Sequence, residues 1–116
     1  MAILTPELSL HVDSVLQQHD QANNITVALG ERVGIEQVAT TTITVLFEAD
    51  DYTASYIYLK NLSNTAANKI KITVGTQTLC DLKPQEFAWF PWDGTADIST
   101  TAVAGTPSIQ YALYEA

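Results

Sequence analysis

Ile70-Lys71-Ile72-Thr73-Val74 is the stretch whose reading decides the fold. Its residues alternate strictly, so Ile70, Ile72 and Val74 fall on one face of an extended chain while Lys71 and Thr73 fall on the other. Ser108 to Tyr114 repeats the pattern: Ile109, Tyr111 and Leu113 face one way, Ser108, Gln110 and Ala112 the other, after a turn at Gly105-Thr106-Pro107. Tyr56-Ile57-Tyr58-Leu59 is apolar on both faces, which predicts a central strand covered by a second sheet or by a neighbouring subunit.

Turn signals between these runs set the strand count. Asn61 to Asn68 is a polar turn region, Gly75-Thr76 a tighter one, Lys83-Pro84-Gln85-Glu86 a turn with Pro at its second position, and Asp93-Gly94 another. Upstream, Ile25 to Leu29 and Thr40 to Phe47 supply two more strands, with Arg32 to Gln37 between them. The chain has 15 Thr, many beside Val, Ile or Tyr, and such β-branched and aromatic neighbourhoods favour a pleated sheet. Short strands with turns every 8 to 12 residues, roughly, predict an all-β fold: an antiparallel, jelly-roll-like sandwich of about 7 to 8 strands.

Thr5 to His19 carries two conflicting periods. Thr5-Pro6-Glu7 resembles a helix start, and Leu8, Val12, Val15 and Leu16 follow at helical spacing, yet Leu8, Leu10 and Val12 also alternate at period two. A strand or arm added to a sheet edge is favoured over a short helix, because a lone helix would need its own docking face. No repeat, linker or low-complexity tract divides residues 1–116, so one domain is expected, with residues 1–24 as a candidate N-terminal arm.

The 116 residues carry 5 Lys+Arg and 13 Asp+Glu, a net charge of −8, with 47% hydrophobic residues. Five basic residues argue against nucleic-acid binding, which draws its affinity from Lys and Arg on phosphates. MAILTPELSL lacks the features of a secretory leader, and no apolar run approaches the roughly 20 residues of a membrane helix, so neither export nor membrane insertion is expected. Cys80 is the single cysteine and reads as a half-buried strand residue. The sequons at Asn24 and Asn61 match what a Thr-rich chain yields by chance.

Few residues suit catalysis. His11 and His19 would stand about 26 Å apart on one strand, or about 12 Å apart on one helix, too far in either case to share a metal or a substrate. Glu48, Asp50 and Asp51, and separately Asp93 and Asp97, form two acidic groups that could each contribute oxygens to a weak calcium site, though neither has EF-hand spacing. They read more simply as a post-strand loop and a turn. The glycines are isolated, so no phosphate-cradling loop is predicted, and no cofactor or enzymatic activity is expected.

Phe87-Ala88-Trp89-Phe90-Pro91-Trp92 holds both tryptophans and two of the three Phe. On a strand, Phe87, Trp89 and Pro91 alternate with Ala88, Phe90 and Trp92, so aromatic surface appears on both faces. One face can be core; the other is either covered within the fold or forms an interface or ligand platform. With Tyr56 and Tyr58, the residues Phe87, Trp89, Phe90 and Trp92 are the candidate interface set.

From Tyr56 to Tyr114 the order of features resembles small virion proteins of tailed phages, marine phages among them. The shared elements are Tyr56-Ile57-Tyr58-Leu59-Lys60-Asn61-Leu62, Ile70 to Gly75, Leu82-Lys83-Pro84-Gln85-Glu86-Phe87-Ala88-Trp89-Phe90-Pro91, and the alternating strand Ile109 to Tyr114. Many such proteins carry Gly where Gln85 stands, and Gln predicts a type I turn rather than type II. The resemblance implies a β-sandwich made in the host cytoplasm that coats the head as a decoration (cement) protein, or belongs to the tail or its fibres. It also implies contacts with the major capsid protein or other virion proteins and a symmetric homo-oligomer, a trimer included. A sugar-binding sandwich and a small enzyme are the competing classes.

Overall fold

The computed structural model describes residues 2–11, 18–22, 25–27 and 32–116. These contain no helix and twelve strands: β1 (Ala2–Leu4), β2 (Glu7–His11), β3 (Gln18–Ala22), β4 (Ile25–Val27), β5 (Arg32–Gln37), β6 (Thr44–Phe47), β7 (Ser55–Asn61), β8 (Ile70–Val74), β9 (Gln77–Leu82), β10 (Phe87–Trp92), β11 (Ile98–Ala102) and β12 (Ser108–Glu115). Eight build an antiparallel sandwich, with sheet order β10-β7-β12-β5 on one side and β6-β11-β8-β9 on the other.

Four of the strand pairings nest: β5 with β12, β6 with β11, β7 with β10, and β8 with β9. The chain from β5 to β12 is thus one long antiparallel hairpin folded over so that successive pairs lie in different sheets, the strand order of a jelly roll. Its tip is the two-residue loop Gly75-Thr76, with positive φ at Gly75 (63°), as a type II′ hairpin turn requires.

Alternation decides what lies between the sheets. Ser55, Ile57, Leu59 and Asn61 of β7 are buried while the residues between them are half-buried; Ile109, Tyr111 and Leu113 of β12 point inward, as do Ile70 and Ile72 of β8. Phe47 sits at the centre of the aromatic packing, with ring centroids of Tyr52, Trp92 and Tyr111 at 6.3, 6.2 and 5.8 Å. These inward faces are those predicted from the alternating stretches.

Edge strand β5 is built differently. Arg32, Gly34 and Glu36 take the inward side, while Val33 and Ile35 are exposed. Gly34 stands opposite Tyr111, whose hydroxyl would lie 2.8 Å from any Cβ at that position. The Arg32 guanidinium lies over the rings of Tyr111 and Phe47, 5.5 and 5.9 Å from their centroids. Its hydrogen bond with Tyr111 holds its pKa above the ordinary value.

Several expectations need correction. Among the described residues the N-terminal stretch adds to neither four-stranded sheet: β1 pairs with β4, and β2 with β3. The favoured strand is found at Glu7–His11, whereas Val12, Val15 and Leu16 lie outside the described residues. The strand expected over Thr40 to Phe47 begins only at Thr44, because the preceding residues carry the chain from one sheet to the other, anchored by Val38 N–H on Pro107 O and Ala102 N–H on Ala39 O. Of Ile25 to Leu29, Ile25–Val27 is strand; the other two residues lie outside the described residues.

The turn at Lys83-Pro84-Gln85-Glu86 is closed by Glu86 N–H on Lys83 O, but Gln85 has φ 68°, the type II position. Type I was expected because a side chain in the left-handed region costs about 1–2 kcal/mol. That cost is offset here by bonds from the Gln85 side chain to Leu62 O, Ser63 O and Asn64 Oδ1.

Candidate interaction face

The aromatic run becomes β10, an edge strand paired only with β7 among the described residues. The expected alternation holds. Ala88, Phe90 and Trp92 pack against the core, and Trp92 donates its indole N–H to Ala96 O at 2.9 Å. Phe87, Trp89 and Pro91 lie on the outer face, where Phe87 is 56% exposed. Of the six candidate interface residues, Phe87, Trp89, Tyr56 and Tyr58 therefore share the outer face, while Trp92 is buried in the core and half-buried Phe90 packs against it from the inner face.

Strand register extends that face across the whole sheet. One row runs Trp89, Tyr58, Ala112, Val33; the next runs Phe87, Lys60, Gln110, Ile35; a third holds Pro91, Tyr56 and Tyr114. Tyr56 and Trp89 stack diagonally, with centroids 5.8 Å apart and planes 7° from parallel, and Tyr58 meets Phe87 at 6.4 Å. No position in the three rows carries a carboxylate, although the chain has 13 acidic residues, and Lys60 is their one charged side chain. Val33 and Ile35 escaped the sequence reading because β-branched residues at alternate positions ordinarily mark a core face, not an exposed one.

The acidic groups take other roles. The loops holding them meet at one end of the sandwich: Asp50 N–H donates to Gly94 O, and Ala49 N–H donates to the Asp97 carboxylate at 2.7 Å. Gly94 has φ 81° and lies under the Tyr52 carbonyl, where a Cβ would sit 2.3 Å from that oxygen. The Thr95 amide and hydroxyl donate to Asp93, which lowers its pKa below the usual carboxylate range. Glu115 accepts from Thr53, and Glu86 from the Lys83 amide. Among the described residues no three His, Cys, Asp or Glu are placed to hold a metal ion.

His11 and His19 do not share a strand. They lie on the antiparallel partners β2 and β3, with His19 opposite Leu10 and His11 opposite Gln18, so the separation of about 26 Å along a single strand does not apply. Cys80 is half-buried on β9, and burial, with Asp81 and Glu86 nearby, raises its pKa above the ordinary thiol value. Asn61 is fully buried, donating from Nδ2 to Asn68 O and Leu82 O and accepting from Ser63 N–H, so its sequon is closed to modification in the folded chain. Asn24 lies outside the described residues.

An open groove of about 620 Å³ runs beside Trp92, lined by Val74, Leu79, Phe90 and Pro91, with Asp93 as its one acidic side chain. That carboxylate is already engaged by Thr95, and an apolar lining of this kind offers surface rather than acid or base chemistry. No family model matches this sequence, and neither a curated protein nor a solved structure matches it.

Proposed function

We propose that this chain is a non-enzymatic virion structural protein of a tailed bacteriophage, a capsid decoration (cement) subunit held on the outside of the head through the outer face of the β10-β7-β12-β5 sheet. The observation that carries the reading is that face: rows of Trp, Tyr, Phe, Val and Ile without a carboxylate, on a chain of net charge −8. Aromatic residues and a depletion of acidic groups mark surfaces that lose water against another protein. The carboxylates lie elsewhere, several of them capping loops, which leaves the rest of the surface acidic and repelled by the packaged genome. The resemblance over Tyr56 to Tyr114 supplies the setting, and a jelly-roll strand order is in use among viral capsid and lectin domains.

The test is cosedimentation of the purified chain with tailed-phage heads, read together with Trp fluorescence across a panel of free sugars. Saturable binding at fixed stoichiometry, abolished by the Phe87→Ala/Trp89→Ala pair and indifferent to sugars, is the expected result. Binding to tails but not heads would move the site to the tail or fibre. A fluorescence shift with a sugar and no binding to particles would replace the reading with a carbohydrate-binding module.

A further inference from the structure

The two margins of the β10-β7-β12-β5 sheet differ. Strand β10 carries Pro91, a residue that blunts an edge because it has no amide hydrogen to offer an incoming strand. Strand β5 has neither Pro nor Lys, and among the described residues its one hydrogen-bonded neighbour is β12. Its outward residues Val33 and Ile35 are 63% and 60% exposed. A six-residue edge of this kind is a template for a further strand.

The inward side restricts which strand fits. Arg32 and Glu36 stand two residues to either side of Gly34 and carry opposite charges. Oε2 of Glu36 is buried and has no hydrogen-bond partner, a position that costs free energy until a donor reaches it.

We propose that β5 pairs antiparallel with β5 of a second copy about a two-fold axis at Gly34, joining the two sheets into one of eight strands. A two-fold axis perpendicular to a sheet must pass midway between the two copies of one residue, since inward side chains have to oppose inward ones. At Gly34 the axis sets Arg32 opposite Glu36 of the second copy, twice, on the inner face. On the outer face it sets Val33 opposite Ile35, also twice. Moved to Val33 or Ile35, the axis would leave each charge opposite a glycine or outside the paired segment.

Inward charges normally turn an incoming strand away from an edge. Here they cancel only against the same sequence run in reverse, so the edge admits its own copy and rejects others. Pro91 at the far margin stops the pairing from propagating, which closes the assembly at two copies. This contact uses the sheet margin and stands or falls independently of what the aromatic rows bind.

Disulfide trapping tests the register without touching the inward side chains. In a Cys80→Ser background, Val33→Cys and Ile35→Cys chains are oxidised separately and as an equal mixture. Only the mixture is expected to give a crosslinked dimer, because identical positions are offset by two residues and exceed the roughly 7 Å Cα limit for a disulfide. Light scattering on the unmodified chain should give the dimer mass at micromolar concentration. Arg32→Glu or Glu36→Arg should each weaken self-association on the order of 100-fold, and the combined exchange should restore it. A monomeric unmodified chain, or crosslinking by either cysteine variant alone, would overturn the proposal. If the charge variants fail to fold by circular dichroism, the cysteine mixture decides.

Discussion

The side-chain amide of Gln85 lies 3.0 Å from the carbonyl oxygen of Leu62, joining the turn before β10 to the loop after β7. Two further acceptors, Ser63 O and Asn64 Oδ1, lie 3.1 Å away, so two N–H groups serve three oxygens. Gln85→Ala removes these bonds and keeps the left-handed backbone, and is expected to lower stability by about 2 kcal/mol. Gln85→Gly also loses the bonds but relieves the strain, so its loss should be smaller by about 1 kcal/mol. Urea unfolding of the two variants makes the comparison.

This turn also marks where sequence reading stops. Residue preference at Gln85 points to type I geometry; the acceptors that reverse it come from residues 62–64, brought close only by the register of β7 with β10. Ile70, Ile72, Ile109, Tyr111 and Leu113 were legible as core because period-two alternation is local. The split of Phe87 and Trp89 from Phe90 and Trp92 was legible for the same reason. Which of those two faces turns outward was not, since that depends on the second sheet. Val33 and Ile35 invert the usual rule: Tyr111 lies across Gly34 and fixes the facing of the whole strand.

The two tryptophans should separate stability from binding. Trp92 is 5% exposed and packs on Phe47, so Trp92→Ala is expected to cost about 3–5 kcal/mol. Trp89 stacks on Tyr56 at the surface, and Trp89→Ala should cost under about 1.5 kcal/mol while removing particle binding. Thermal unfolding beside cosedimentation reads both, and equal destabilisation by the two variants would contradict the assigned faces.

Asn61 holds three backbone groups from one buried amide, and its backbone N–H and C=O also bond Glu86 and Gln85. Asn61→Ala strands the carbonyls of Asn68 and Leu82 and the amide of Ser63. A loss of about 3 kcal/mol is expected, with faster hydrogen exchange concentrated in residues 62–69.

For Cys80 the pKa is raised in the folded chain, chiefly by burial. Such a group contributes stability that is complete below the unfolded thiol pKa and is lost as pH rises through the higher folded value. Stability should therefore decline in the alkaline range, and decline less in Cys80→Ser. Thiol labelling at neutral pH should run slower on the folded chain than in denaturant.

Strand β12 lies between β7 and β5, so an inner strand of one sheet is the last of the twelve in sequence. Its partner β5 is made about eighty residues earlier, as the pairing of Leu113 with Arg32 shows. During synthesis the β8-β9 hairpin can close at once over its two-residue loop, whereas β5 and β7 must wait with bare edges. Folding completes only when β12 inserts between them. A ribosome that stalls before Ser108 would therefore hold a chain in which β5 has no partner in its sheet and β7 only β10, the form most exposed to aggregation and to chaperone capture.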